Sequence, residues 1–217
     1  MKYMPKISVI TINLNNKEGL ERTIHSVVLQ TFFDNVEYIV VDGGSTDGSI
    51  DVIRENERHL AHWVSEPDNG IYDAMNKGID MASGDYCLFL NSGDTFFMPT
   101  SIQYVYPYLD ADIVYGDLMI DGYKQKEYPD RLTLNYFQND SLPHPSTFIR
   151  TSILKAKKYD SSYRIIADWI FFRECLFDEG KTYNHVNILV SNFSLGGISS
   201  NMKEVELEKK RYKKGRA

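Results

Sequence analysis

Residues 6–94 alternate between apolar runs of strand length and stretches with helical periodicity, and that alternation limits the chain to few folds. Lys6 to Ile12 (KISVITI), Tyr38 to Val41, His62 to Val64 and Tyr86 to Leu90 are the strand-like runs. Asn16 stands as a cap before Leu20, Ile24, Val27 and Val28 on one helical face. A second helix starts near Asp47 or Ser49 with Ile50 and Ile53 inward, and a third covers Ile71 to Met81 with Ile71, Met75 and Ile79 in register. This order predicts an α/β fold with a parallel, twisted sheet and right-handed crossovers. Its strands stop at polar loops, and in such sheets these loops open on one edge, where ligands bind.

The most informative loop is Asn91-Ser92-Gly93-Asp94, which ends the run Tyr86 to Leu90. It reads as a buried strand delivering Asp94 to its carboxyl tip, suited to a hard cation carrying a diphosphate. The same four residues would also make an ordinary turn. The loop after the second strand, Asp42 to Ser49, has glycines at 43, 44 and 48, so the G-x-G-x-x-G spacing is absent, and no Gly-Lys-Ser/Thr occurs. With no glycine nest for phosphates, a metal is the natural substitute. Asp42 is placed to accept from a base or ribose, or to cap its own turn. Thr11 and Asn13 either meet a base edge or build the loop. In the third loop and the helix after it, Asp68 and Asp73 are candidates for ligand hydroxyls, Tyr72 either stacks on a ligand ring or lines the helix start, and Lys77 meets the diphosphate or solvent. Asp47 reads as a helix cap.

The second half is less regular. A helix from Pro99 ending early at Pro107, a strand over Asp112 to Gly116, a hairpin arm over Met119 to Tyr128 and a short helix over 131–138 are expected. Ser146 to Ile149 reads as a strand, Ala167 to Phe177 as a helix, and Tyr183 to Phe193 as a strand ended by Gly196-Gly197. Residues 203–217 hold seven Lys/Arg against three Glu and read as a solvated terminal helix, with peripheral contact to an anionic membrane as the alternative. The net charge of −6 argues against a nucleic-acid surface. Cys87 and Cys175 fall in apolar runs and read as buried free thiols, which fits a reducing compartment. No apolar run is long enough to span a bilayer. A cytoplasmic location follows as the expectation, at most on the inner face of the membrane.

Ile7 to Asn13 (ISVITIN), Val40 to Ser49 (VVDGGSTDGS), Asn76-Lys77-Gly78 with Ala82 and Gly84, and Leu90 to Asp94 (LNSGD) together resemble the family 2 glycosyltransferases of the GT-A fold. Leu142 to Arg150 (LPHPSTFIR) and Ala167-Asp168-Trp169 extend the resemblance into the second half. It implies a Rossmann-like, mostly parallel sheet flanked by helices: residues 1–98 bind the nucleotide-sugar, 99–202 form a smaller acceptor side, and 203–217 follow as a tail. It implies an inverting transfer from a nucleotide-sugar, usually a UDP-sugar, with Mn²⁺ or Mg²⁺, to a glycan or lipid-linked acceptor in surface polysaccharide or lipopolysaccharide synthesis. Asn91 to Asp94 stands where many members carry an Asp-x-Asp-type signature, so Asp94 is the expected metal ligand, with Asn91 acting through water or on sugar hydroxyls. Gly43 replaces the second acid of the common Asp-Asp-Gly-Ser loop, and Leu14 stands where an aromatic often stacks on the base.

Displacement at an anomeric carbon also needs a group to take the acceptor's proton. Asp168 matches the family's position for that acid, with Asp160 and Asp178 as weaker candidates. His144, between Pro143 and Pro145, is placed to ligate metal, touch diphosphate or pack its loop, and Arg150 to meet phosphate or a surface acid. Two other classes remain: a sugar nucleotidyltransferase, whose Gly-rich basic loop is missing from residues 12–20, and a non-catalytic nucleotide or glycan module.

Overall fold

The computed structural model describes residues 5–195 and 202–215, and the expected strand end at Gly196-Gly197 lies outside them. Strand β1 (Ile7–Asn13) is wholly buried and pairs in parallel with β2 (Val36–Asp42) and β4 (Tyr86–Phe89), while β2 pairs in parallel with β3 (His62–Ser65). Continuous apolar runs build strands covered on both faces, and two buried clusters lie on opposite sides of this sheet. Three helices make the crossovers: α1 (Lys17–Val28), α2 (Ser49–Glu55) and α3 (Ile71–Met81). Asn16 caps α1, its Oδ1 accepting from Gly19 N–H at 3.2 Å, a contact worth about 1 kcal/mol. Helix α3 lies directly on the sheet: a Cβ at Gly78 would come within 2.5 Å of the Ile10 side chain.

The second half continues the same sheet. Its elements are β5 (Thr95–Phe96), α4 (Ser101–Val105), β6 (Ile113–Ile120), β7 (Lys124–Lys126), α5 (Leu134–Asn139), β8 (Thr147–Arg150), α6 (Thr151–Lys157), α7 (Ala167–Arg173), β9 (Tyr183–Phe193) and α8 (Met202–Gly215). The strand order is β3-β2-β1-β4-β8-β6-β9-β5, with β7 paired to β6. Strand β8 runs antiparallel to β4 and β6, so the sheet is mostly parallel with antiparallel inserts. Strand β9 pairs with both β6 and β5, curling the sheet so that its end returns over the tip of β4.

Helix α6 was not anticipated; only Thr151, Ile153 and Leu154 of its seven residues are buried. The tail forms the expected terminal helix, and most of α8 is exposed, but one side of it is docked rather than solvated. Tyr212 on α8 is buried, and the Glu208 carboxylate accepts from the N–H groups of Arg164, Ile165 and Ile166 at 2.7, 3.0 and 3.2 Å. That acid fixes the chain entering α7.

Candidate active site

The carboxyl tips of β1, β2 and β4 lie side by side, and each brings a polar side chain. Asp42, at the end of β2, is fully buried. Its oxygens accept from Asn13 Nδ2 at 2.7 Å, Ser65 Oγ at 2.7 Å, Ser45 N–H at 2.9 Å, Gly44 N–H at 3.1 Å and the Ser45 hydroxyl. Burial pushes its pKa up, but these donors outweigh it and hold the group below the usual carboxylate range. Asp42 therefore organises the loop and has no free oxygen face for a base. Thr11 is corrected likewise: it is buried, donating to Leu90 O at 2.8 Å and meeting the Tyr38 hydroxyl at 3.0 Å. Its inward position on a central strand takes it away from the loops. Lys77 is committed too, 2.9 Å from Glu66 and donating to Pro67 O at 3.1 Å; the hydrogen bond it donates to Glu66 is the main cause raising its pKa. It braces the β3–α3 loop and leaves no ammonium for a diphosphate.

What remains open at this edge is different. Asp68 is half-buried, anchored by Gly70 N–H at 2.8 Å on Oδ1. Its Oδ2 lies 2.5 Å from where a Cβ at residue 43 would stand. The acid absent at Gly43 is thus replaced in space by the Asp68 carboxylate, beside the exposed Leu14. Asp47 ties two helix starts together, accepting from Lys17 N–H at 2.8 Å and Ser49 N–H at 3.0 Å.

At the tip of β4, Asp94 is only 5 % exposed. Ser194, at the end of β9, donates its N–H to Asp94 Oδ1 at 3.0 Å and its hydroxyl to Gly93 O at 2.8 Å. Asp94 was expected open at the strand tip, but the β5–β9 pairing draws Ser194 across it. Burial pushes its pKa from an ordinary 3.8 to about 7, against the single Ser194 hydrogen bond. Asn91 Oδ1 and Asn13 Oδ1 are buried without a partner, which is costly unless a ligand satisfies them. No group of three His, Cys, Asp or Glu gathers for a metal among the described residues. The oxygens of Asp94 and Asn91 are nonetheless hard donors, and Mg²⁺-type sites often use one or two carboxylates plus substrate phosphates. The donor set suits a cation arriving with a diphosphate rather than one held in a protein cage.

The second cluster joins the two halves. Tyr72, on α3, is 5 % exposed and has one hydroxyl proton facing two acceptors, Ile165 O at 2.6 Å and Asp168 Oδ1 at 2.7 Å. The Trp169 N–H gives Oδ1 a second donor at 2.8 Å. Asp168 Oδ2 makes no hydrogen bond among the described residues and lies 3.9 Å from His144 Nδ1. The Asp168 side chain keeps 22 % exposure, enough to be reached. Burial, and after it the charge of Asp168, raises the Tyr72 pKa well above its usual value, so the phenol keeps its proton. His144 is enclosed by the rings of Phe89, Tyr159 and Phe172, and its Nε2 meets the Tyr159 hydroxyl at 2.9 Å. Burial lowers its pKa against the pull of Asp168, so the ring is neutral at pH 7. Its expected role on metal or diphosphate is therefore corrected: both nitrogens face Tyr159 and Asp168. Asn76, one turn beyond Tyr72, exchanges hydrogen bonds with the Tyr159 backbone at 2.8 and 2.9 Å. Arg150 is a surface partner of Asp112 at 3.7 Å, and Asp178 pairs with Arg173 at 3.2 Å.

The family profile described as glycosyl transferase family 2 matches residues 8–177. The chain belongs to glycosyl transferase family 2. It is 34 % identical over 210 residues to a glycosyltransferase of Mycobacterium tuberculosis, covering 92 % of this chain and 79 % of the relative. A PGL/p-HBAD biosynthesis glycosyltransferase of Mycobacterium bovis is 29 % identical over 219 residues, covering 95 % and 84 %. Among solved structures, S. aureus TarS 1–349 in complex with UDP-GlcNAc superposes with a TM-score of 0.76 at 17 % identity, over 90 % of this chain and 61 % of that one. The mannosyltransferase PcManGT of Pyrobaculum calidifontis, in complex with GDP-Man and Mn²⁺, gives 0.66 at 17 %, over 91 % and 59 %. This family 2 chain thus spans about three-fifths of those two structures, and the likeness to them establishes the GT-A-like fold.

Proposed function

We propose that this glycosyltransferase moves a sugar from a nucleotide-sugar, a UDP-sugar in the first instance, to a hydroxyl acceptor in surface glycan assembly with inversion at the anomeric carbon. The single observation that carries the reading is the reachable, hydrogen-bond-free Oδ2 of Asp168, held on a carboxylate whose other oxygen is fixed by Tyr72 and Trp169 N–H. In the reaction, the acceptor oxygen forms a bond to the anomeric carbon as the bond from that carbon to the diphosphate oxygen breaks. The nucleoside diphosphate leaves with the bonding pair, and the acceptor's proton passes to Asp168 Oδ2. Asp68 faces the base region next to Gly43, where its carboxylate suits an imide N–H. Asp94 and Asn91 would hold a divalent cation, Mn²⁺ or Mg²⁺, which when bound supplies charge neutralisation for the diphosphate.

The test is transfer from UDP- and GDP-sugars to a panel of hydroxyl acceptors, followed by product analysis. Nucleoside diphosphate and an inverted glycoside are expected. Release of pyrophosphate would indicate the nucleotidyltransferase chemistry, and donor binding without turnover on any acceptor would indicate a binding module.

Tyr72 acts through Asp168 as a positioning residue. Tyr72→Phe removes a donor to an ionised oxygen, an interaction worth about 1.5–3 kcal/mol. The expected result is a fall in kcat of about tenfold or more with donor KM unchanged. A purely structural tyrosine would lower the melting temperature and leave kcat of the folded fraction in place.

A further inference from the structure

A cavity of about 330 Å³ lies between α5, α7 and α8. Phe137, Trp169 and Tyr212 form its aromatic wall: Trp169 Nε1 donates to Phe137 O at 2.7 Å, and the Trp169 and Tyr212 rings meet edge-on at 5.5 Å. Three cations line the rest, Arg173, Lys209 and Lys213. Arg173 already has Asp178 at 3.2 Å and the Tyr212 hydroxyl at 3.1 Å. The lysines do not. Lys209 lies 4.8 Å over the Trp169 ring and reaches only Gln138 O, at 3.3 Å, and neither lysine has an acid within ion-pair distance among the described residues. Burial, reinforced by Lys213, lowers the Lys209 pKa, while Asp140 and Asp168 pull the other way; Asp140 is itself paired with Lys126 at 2.8 Å. Lys209 is partly buried and Lys213 exposed, so the cost of desolvation without a counter-charge falls on Lys209, and Lys213 adds a second cation beside it.

The wall and the cations ask for different parts of one ligand. A cavity of this size falls at the small end of sites for compact organic ligands. Its lysines favour a phosphate or diphosphate, and its aromatic wall favours methylenes over water. Five of the six residues 209–214 are Lys or Arg, with no acid among them, so the approach to the cavity is also positive. A nucleic acid is disfavoured, since the whole chain carries −6.

We infer that this cavity binds the phosphorylated head of an anionic amphiphile, a phosphate or diphosphate ester of an aliphatic chain, with the head on Lys209 and Lys213 and the first methylenes against Trp169 and Tyr212. The inference stands independently of the base at Asp168, since it needs no turnover.

The chain has two tryptophans, Trp63 and Trp169, so Trp63→Phe leaves Trp169 as the single reporter. The full chain carrying that change is titrated with dodecyl phosphate, inorganic phosphate and a neutral dodecyl glycoside, each below micelle formation. Dodecyl phosphate is expected to change Trp169 emission saturably and to bind at least tenfold more tightly than the other two. A Lys209→Met, Lys213→Met double variant keeps the alkyl stems and is expected to lose at least tenfold in that affinity; circular dichroism confirms that α8 persists. Equal binding of the neutral glycoside, equal binding of free phosphate, or an unchanged affinity in a folded double variant would each overturn the inference.

Discussion

Asp168→Asn lowers kcat by about three orders of magnitude, the middle of the range for a positioned general base, while donor affinity stays within about twofold. The substitution keeps shape and volume, so Oδ1 can still accept from Tyr72 and the Trp169 N–H. What it removes is the capacity of the second oxygen to take a proton. Single-turnover rates together with calorimetric donor binding separate the two effects. A variant with near-normal turnover would remove Asp168 from the reaction, and the hydroxyl's proton would have to go elsewhere. His144 is the nearest alternative, at 3.9 Å, but burial among Phe89, Tyr159 and Phe172 leaves it poorly placed to meet an acceptor.

Asp94→Asn carries the second large effect, and it has opposite signs for stability and for ligand response. The folded-state pKa of Asp94 is about 7, against an ordinary 3.8 in the unfolded chain. Between those values the folded state holds a proton that the unfolded state has lost. Stability therefore falls as pH rises through this window and levels off above about 7. The loss amounts to roughly 4 kcal/mol at about 1.4 kcal/mol per tenfold. The asparagine carries no charge, so the variant is expected to melt several degrees higher than the parent at pH 8, where about 1 kcal/mol corresponds to 2–4 °C in a chain of this size. At pH 5 the two should melt alike. In the parent, Mn²⁺ with a nucleoside diphosphate should raise the melting point, because a ligand of the folded state stabilises by mass action. In the variant that rise should shrink to what the nucleotide gives alone. Melting curves at the two pH values, with and without Mn²⁺, decide it. A full Mn²⁺ response in the variant would remove Asp94 from the cation site.

The two predictions meet in the architecture. The β5–β9 pairing desolvates Asp94, and α3 carries Tyr72 across to Asp168, so the two acids are tuned by elements from opposite halves of one sheet. Neither arrangement follows from the residues beside those acids in the chain.

Local pattern determined much. The apolar periods fixed the bounds of α3 and β9 to the residue, since a helix or strand that buries one face must repeat at its own period. They also fixed which loops share an edge, because parallel strands with right-handed crossovers allow little else. Asp168 stood out only through the family resemblance; local pattern alone would read it as an ordinary acid in the first turn of α7. The tertiary structure alone decided what each polar side chain is free to do. Thr11, Asp42 and Lys77 each carried a ligand reading and a structural one in sequence, and the contacts of the folded chain favour the structural one, because their partners Leu90, Ser65 and Glu66 come from neighbouring strands and loops. Tyr72 meets Asp168 across 96 residues, and Glu208 reaches back to the start of α7 across more than forty. Hydrogen bonds satisfy the nearest buried group in space, and no sequence period records who that neighbour is.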